Sequence, residues 1–444
     1  MSIRLIHKMS KWGISGLWIL LLVNCNLNLG GNHSYSQSLS LRNSKKNVHM
    51  NFSGNSPLLE GLLQQHPSYF EELIRRKDEM NIQIIYSQID RDEKQQPIIT
   101  HHTFNLNQDK YFYPASTVKL PTAILALQKL NELKVNHLDR NSTMITQASY
   151  SGQTPVFNDP MIANGRPSIS NYIKKILLVS DNDAFNRLYE FLGQEYINTE
   201  MHKRGFSKTE IRHRLERSLT EDENRHTNPI NFYDNSGKKI YGQEMKFYTG
   251  PYAGRKDYIG KSYMKGDAKV DGPMDFSKKN RLVLVDLHQI IQSVIFPESM
   301  PVSQRFNLSK EDLQFLRNYM SMLPPQSDIG AYKTNDYWNA YCKFLLWGSE
   351  KNIQPSTIKI YNKVGDAYGF LIDAAYIIDT EKKIEFMLSA VIYCNSDGVL
   401  NDSKYDYDTI GLPFMKHLGE VIYDYECNRF RKVKPIFEDF LNTP

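Results

Sequence analysis

The sequence predicts an α+β fold of two lobes, in which an antiparallel sheet flanked by N- and C-terminal helices joins an all-helical lobe that carries an inserted segment. Three observations predict it. Strand-like runs stand at both ends of the folded region, at 82–89 and 98–104 and again at 358–363, 370–378 and 384–393. Helical spacing of apolar residues dominates the middle, and ends that both read as strands pair into one sheet covered by helices. The segment 231–280 departs from its surroundings, being rich in Tyr, Gly, Lys and Asp with little helical periodicity.

At 444 residues with 41% hydrophobic content, the chain can bury one large core or two lobes. Its first residues carry Arg4, Lys8 and Lys11, then an apolar run over 12–23, then Cys25, which is the layout of an export signal over 1–25. The run is short for a membrane span. Leu22-Val23-Asn24-Cys25 resembles a lipoprotein processing site with Asn24 where a small residue is usual, and a cut near Ser34-Tyr35-Ser36 is the alternative. Residues 26–57, rich in Ser and Asn, read as a flexible linker to a folded domain at 58–440. The expected location is therefore the cell envelope of a bacterium, with a membrane anchor if Cys25 is lipidated.

A helix is expected over 58–76, and the two strands that follow bracket the polar turn 90–94. The α/β lobe is then 58–112 with 355–440, and the helical lobe 113–354, with a cleft between them that suits a ligand. Within the helical lobe, apolar residues at Leu120, Ala123, Ile124, Leu127 and Leu130 mark a buried helix opened by Ser116. A second helix over 168–178 breaks at Ser180-Asp181-Asn182 before a third that ends at Leu192-Gly193. The segment 231–280 reads as an inserted loop or small lid, with an inert surface elaboration as the bland alternative. Near the end, Asp379-Thr380-Glu381-Lys382 marks a hairpin, and a final helix follows Asp408.

The formal charge of +5 is small for the length, and no basic run is interleaved with aromatics, so nucleic acid is not an expected partner. Cys342, Cys394 and Cys427 permit at most one internal disulfide. No Cys-x-x-Cys or His cluster offers a metal site, and His101 and His102, adjacent in a strand, point to opposite faces.

Chemistry enters at Tyr113-Pro114-Ala115-Ser116-Thr117-Val118-Lys119. A serine hydroxyl needs a neighbour to take its proton, and Lys119, three residues on, shares a helix face with Ser116. The helix start also turns its positive dipole end toward an anionic intermediate. The spacing alone does not decide, since Ser236/Lys239, Ser262/Lys265 and Ser356/Lys359 repeat it. Ser180 could relay protons, and the Asn182 amide could accept from a lysine and donate to a substrate carbonyl, although either could simply cap a helix. Lys363-Val364-Gly365 ends a strand, where the lysine could hold a substrate carboxylate and the glycine would let a backbone approach closely.

Taken in order, Ser116-x-x-Lys119, Ser180-Asp181-Asn182 and Lys363-Val364-Gly365 resemble the serine β-lactamase and penicillin-binding protein superfamily, and most closely the class A β-lactamases, from about 58 to 423. That resemblance implies the two-lobe serine β-lactamase-like fold, with Ser116 as nucleophile and no metal or organic cofactor. Lys119, or Glu216 through a water, would take its proton. Ser180 would relay protons, Asn182 and Lys363 would hold substrate, and the N–H groups of Ser116 and Asp366 would form the oxyanion hole. The family's deacylating glutamate is matched by Arg214-Leu215-Glu216-Arg217-Ser218-Leu219-Thr220 when counted forward from Ser180. Counted back from Asn228-Pro229, the position falls near Arg212; the forward count is preferred because Arg214, Glu216 and Leu219 all fall into register. Thr220 stands where the family has Asn, keeping a polar group for the water, and Val364 lacks the usual hydroxyl. The implied function is hydrolysis of a small β-lactam by a monomer. The alternatives are a penicillin-binding or peptidoglycan peptidase that deacylates slowly, and a non-catalytic envelope binding lipoprotein.

Overall fold

Residues 52, 54–150 and 152–441 are described by a computed structural model. The signal region with Cys25, and most of the 26–57 linker, lie outside them. At the start of the described chain Asn55 and Ser56 already bond to the sheet: Asn105 N donates to Asn55 Oδ1 at 2.8 Å, and Ser56 N to Thr103 O at 2.8 Å.

Where one helix was expected over 58–76 there are two, α1 (Pro57–Gln64) and α2 (Pro67–Arg75). Pro67 is the cause, because a proline bars the residue before it from helical geometry, and His66 stands at φ −121°, ψ 61°. Then come β1 (Gln83–Arg91) and β2 (Pro97–Phe104). The strand runs through Arg91, two residues into the turn expected at 90–94, where the Arg91 guanidinium is fixed to the buried Glu385 at 2.6 Å.

A 3-10 turn (Ala115–Val118) leads into α3 (Lys119–Leu133), which is buried from Lys119 to Leu130, its buried polar side chains Thr122, Gln128 and Lys129 each being hydrogen-bonded. β3 (Thr143–Thr146) precedes the helices α4 (Ile169–Val179), α5 (Asn182–Leu192), α6 (Gln194–Lys203) and the short α7 (Glu221–Arg225). The lobe expected to be all-helical also holds a three-stranded sheet, in which β4 (Ile230–Tyr233) sits between β3 and β5 (Lys239–Gln243). The turn joining β4 to β5 needs Gly237 at φ +83°. After an irregular stretch over 244–257 the inserted segment holds four short strands: β6 (Tyr258–Ile259), β7 (Ser262–Lys265), β8 (Ala268–Asp271) and β9 (Met274–Asp275). α8 (Leu284–Ile295) and α9 (Lys310–Ser321) complete this lobe.

β10 (Ile358–Ala367), β11 (Phe370–Asp379) and β12 (Ile384–Tyr393) form a meander, and β12 pairs antiparallel with β1, so both chain ends build one sheet in the order β10-β11-β12-β1-β2. Alternation sends Ile85 toward the helical lobe and its neighbour Ile84 to the core under α1, α2 and the C-terminal helix. His101 and His102 part in the same way, to Ser87 and to Ser56. β13 (Val399–Leu400) pairs with β7 and so pins the insertion to the loop after β12. A π turn (Tyr407–Gly411), α10 (Leu412–Asn428) and α11 (Glu438–Leu441) follow. Cys342, Cys394 and Cys427 are all free thiols.

Candidate active site

The turn that carries Ser116 begins with a strained residue. Ala115 is buried at φ +47°, a conformation that a side chain disfavours, and Thr117 closes the turn by donating from both N and Oγ1 to Pro114 O. Ser116 is therefore delivered half-buried at the head of α3, with Lys119 beneath it. Lys119 Nζ lies 2.8 Å from Ser116 Oγ and 3.2 Å from Ser180 Oγ, and also bonds Ser180 O. From the other side Lys363 Nζ donates to Ser180 Oγ and to Val364 O, each at 2.8 Å. Ser116, Lys119, Ser180 and Lys363 thus form one chain of polar contacts running from a helix head to a strand.

The two lysines are 0% and 2% exposed. Burial, and after it the Lys363 charge, push the Lys119 ammonium far below its ordinary value; burial pushes Lys363 down to about 8. Two ammonium groups that share one hydroxyl out of water repel each other, and both burial and the Lys363 charge favour the neutral amine at Lys119. An uncharged amine at 2.8 Å from a serine oxygen is a base in position.

Ser180 is the C-terminal cap of α4 in the left-handed conformation, φ +60°, where glycine is usual. Asp181 caps α5 by accepting from Ala184 N at 2.7 Å, which frees Asn182 from capping, the bland role open to it. The Asn182 amide donates to Glu216 Oε2 at 2.7 Å. The loop that holds Glu216 is clamped by Asn186, which bonds both N and O of Leu215, and by the buried Arg214–Glu190 pair at 3.0 Å. Glu216 itself sits at φ +53°. Arg212, the site of the competing count, packs instead over the Tyr252 ring at 3.9 Å and does not line the Ser116 cavity.

Three expectations are corrected. Thr220 does not present a polar group to a water beside Glu216; it caps α7, exchanging bonds with Glu223, and lies away from the cavity. Gly365 serves the protein's own backbone and not a substrate's: a Cβ there would stand 2.8 Å from Pro114 O and 3.0 Å from Ser116 N, so only glycine lets β10 touch the nucleophile turn. Lys363 does not line the cavity over Ser116: two of its three ammonium donors go to Ser180 Oγ and Val364 O, and Val364 packs into the far core of the sheet. Asp366, next along β10, is exposed at the cavity rim.

The cavity over Ser116, about 550 Å³, is also lined by Asn182, Glu216, Asp366, Tyr113, Tyr368, Tyr405, Asn401 and Ser403. Tyr368 was not read from the sequence, although a signal was there. Tyr368-Gly369 is the two-residue turn between β10 and β11, with φ +53° and +82°, and such turns favour Asn or Asp before Gly. An aromatic side chain at that strained position points to a use beyond the turn. Asn401, Ser403 and Tyr405 come from the loop after β13, which nothing in the local sequence ties to Ser116.

Residues 68–239 match the model of the Beta-lactamase enzyme family. No curated protein matches the chain. Among solved structures, the chain is similar to a class A beta-lactamase from Clostridium kluyveri at 14% identity and TM-score 0.44, covering 82% of this chain and 98% of that one. It is similar to a beta-lactamase from Chitinophaga pinensis at 12% identity and TM-score 0.45, covering 83% and 99%. A PBP-A mutant in an acyl-enzyme complex with penicillin G is similar at 15% identity and TM-score 0.44, covering 83% and 96%. No residue role in this chain rests on these similarities.

Proposed function

We propose that this chain, which belongs to the β-lactamase enzyme family through residues 68–239, is a serine hydrolase that opens a β-lactam amide through an acyl-enzyme on Ser116. The observation that carries the reading is the buried Lys119 amine 2.8 Å from Ser116 Oγ, in surroundings that favour its neutral form. As Oγ bonds the carbonyl carbon, Lys119 takes its proton. When the C–N bond breaks, the departing nitrogen receives a proton through Ser180, whose hydroxyl stands between Lys119 and Lys363. The N–H groups of Ser116 and Asp366 are assigned to the oxyanion, a role in which one donor contributes about 3 to 4 kcal/mol. Glu216, which faces the same cavity through Asn182, then activates the water that cleaves the ester.

A second reading, acylation with slow release as in a penicillin-binding peptidase, draws on two observations. Thr220 is committed to capping α7, leaving Glu216 without a second polar partner for the water, and Lys363 does not line the cavity over Ser116. Both readings place a monomer in the envelope on the strength of the N-terminal layout, with anchoring through Cys25; retention of the protein in membranes and its release by Cys25→Ala checks that part.

Intact-protein mass spectrometry with penicillin decides between them. Hydrolysis predicts an adduct that decays in seconds in the parent, persists in Glu216→Ala and is absent in Ser116→Ala. A persistent adduct in the parent selects the second reading. No adduct in any variant removes both, leaving the fold as a non-catalytic binding module.

A further inference from the structure

The cavity over Ser116 does not end at its own rim. A second cavity of about 560 Å³ adjoins it, and the two share Tyr113, Glu216 and Tyr368 as walls. Its far side is built by the inserted segment, through Met274, Lys278 and Lys279, so the insertion has a place beside the nucleophile.

The shared wall is a packed aromatic cluster. The Tyr113 and Tyr368 rings meet edge to face at 5.0 Å, and the buried Phe276 ring meets Tyr368 at 5.1 Å and Tyr113 at 5.8 Å. Lys279 Nζ lies over this cluster, 5.3 Å from the Tyr368 ring and 5.7 Å from Phe276. Its backbone is held in place, with N donating to Phe276 O and its own O accepting from Arg255 Nη2. Among the described residues no carboxylate stands within ion-pair distance of Lys279 Nζ, whereas its neighbour Lys278 is 3.0 Å from Glu221. Arg217, on the opposite side of the second cavity, likewise has no acidic partner and donates only to Thr154 Oγ1.

The strand lysine that the sequence offered as a carboxylate anchor does not line the cavity over Ser116, while the half-buried Lys279 ammonium borders the cavity that adjoins it across the aromatic wall. Resting on the reading of Ser116 as nucleophile, we infer that Lys279 anchors the anionic end of an extended substrate, a carboxylate-bearing peptide whose reacting carbonyl lies at Ser116. Glu216, Glu221 and Asp275 also border this cavity, but among the described residues none of them forms an ion pair with the Lys279 ammonium, and Glu221 is taken by Lys278. A compact bicyclic ring fills the first cavity alone, whereas a peptide lying across Tyr113 and Tyr368 fills both.

The test uses two peptide thioesters of equal length, one ending in a carboxylate remote from the thioester and the other in a carboxamide. Acylation forms the Ser116 Oγ–C bond and breaks C–S; the thiol leaves with the serine's proton and is counted with a chromogenic thiol reagent. The parent is expected to prefer the carboxylate substrate in kcat/KM by about tenfold, in the range of a partly shielded charge pair. Lys279→Gln brings the ratio to about one through KM for the carboxylate substrate, and Lys279→Arg restores most of it. Because the ratio is read within one protein, a poorly folded variant slows both substrates together and leaves it unchanged. Equal rates in the parent, or a ratio that survives Lys279→Gln, overturn the inference alone; failure of both thioesters to acylate Ser116 overturns the proposed function with it.

Discussion

Replacing Gly365 by alanine tests whether the strand and the nucleophile turn act as one unit. The added Cβ would sit 2.8 Å from Pro114 O, and an ordinary contact begins at 3.4 Å, so backbone must yield by about 0.6 Å. Neither neighbour is a flexible side-chain tip: Pro114 O is fixed as acceptor for Thr117 N and Oγ1, and the backbone of β10 is paired along β11. Overpacking of this kind destabilises by about 1 to 3 kcal/mol. The larger effect falls on chemistry, because the gap that opens separates Ser116 N from Asp366 N, the two groups assigned to the oxyanion. A misplacement of about 1 Å can cost about a hundredfold in rate, so a shift near half of that predicts a loss of about ten- to a hundredfold in acylation. Thermal unfolding gives the stability change, and stopped-flow acylation by a chromogenic cephalosporin gives the rate. Gly365→Ala acylating at the parent rate with a lowered Tm would show that the turn and strand are not coupled in the reaction, and the oxyanion assignment would fall.

Other outcomes follow from the same contacts. Lys363→Ala removes a positive charge that depresses Lys119, so the acid limb of the acylation pH profile should move to higher pH; a limb that stays put separates the two lysines. Arg214→Ala leaves Glu190 buried without its main partner and should lower stability by about 3 to 5 kcal/mol in denaturant titration, with Glu190→Gln in the same background recovering part of the loss. Thr220→Ala should cost about 1 kcal/mol through the lost cap and change the deacylation rate less than twofold in single-turnover measurements. Burial lowers His101 and His213 to about 4 and His288 well below 6.5, so each binds its proton more readily unfolded than folded. Their contribution is whole above pH 6.5 and lost as pH falls toward 4; at about 1.4 kcal/mol per unit, His101 alone accounts for about 3 kcal/mol. Tm should drop over that window, and His288→Gln should flatten the drop.

The candidate site residues were legible because they lie on short, strongly patterned pieces. Ser116 and Lys119 share one turn, Ser180 and Asn182 flank one helix break, and β10, β11 and β12 announce themselves by long apolar runs. What the sequence hid depended on contacts between distant segments. The strands of 231–280 are two to five residues long, too short for alternation to show, and β13 is defined by its pairing with β7 more than a hundred residues away. Lys363 read as a cation facing substrate because nothing local says that its ammonium turns to Ser180, far along the chain. Thr220 read as a partner for Glu216 because a capping box and a water-holding site use the same residue types.

Strain around the cleft is concentrated and has a common support. Ala115, Ser180, Glu216 and Tyr368 all hold positive φ without being glycine, and each flanks or lines the Ser116 cavity. Such residues cost about 1 to 3 kcal/mol apiece and persist only where the surroundings over-determine them. Here the clamps can be named: Pro114 O for the Ala115 turn, the Lys119 and Lys363 ammonium contacts for Ser180, Asn186 and Asn182 for the Glu216 loop, and the Tyr113–Phe276 ring cluster for Tyr368. One of these clamps, Lys119, is also the base of the proposed reaction. Removing Lys119 therefore takes away both a base and the brace on Ser180, so Lys119→Met should relax the α4 cap as well as stop acylation. Hydrogen exchange at 176–182 measures the first effect and adduct formation the second. Loss of acylation with unchanged exchange would show that the α4 cap stands without the lysine and that strain and catalysis are separate features of this site.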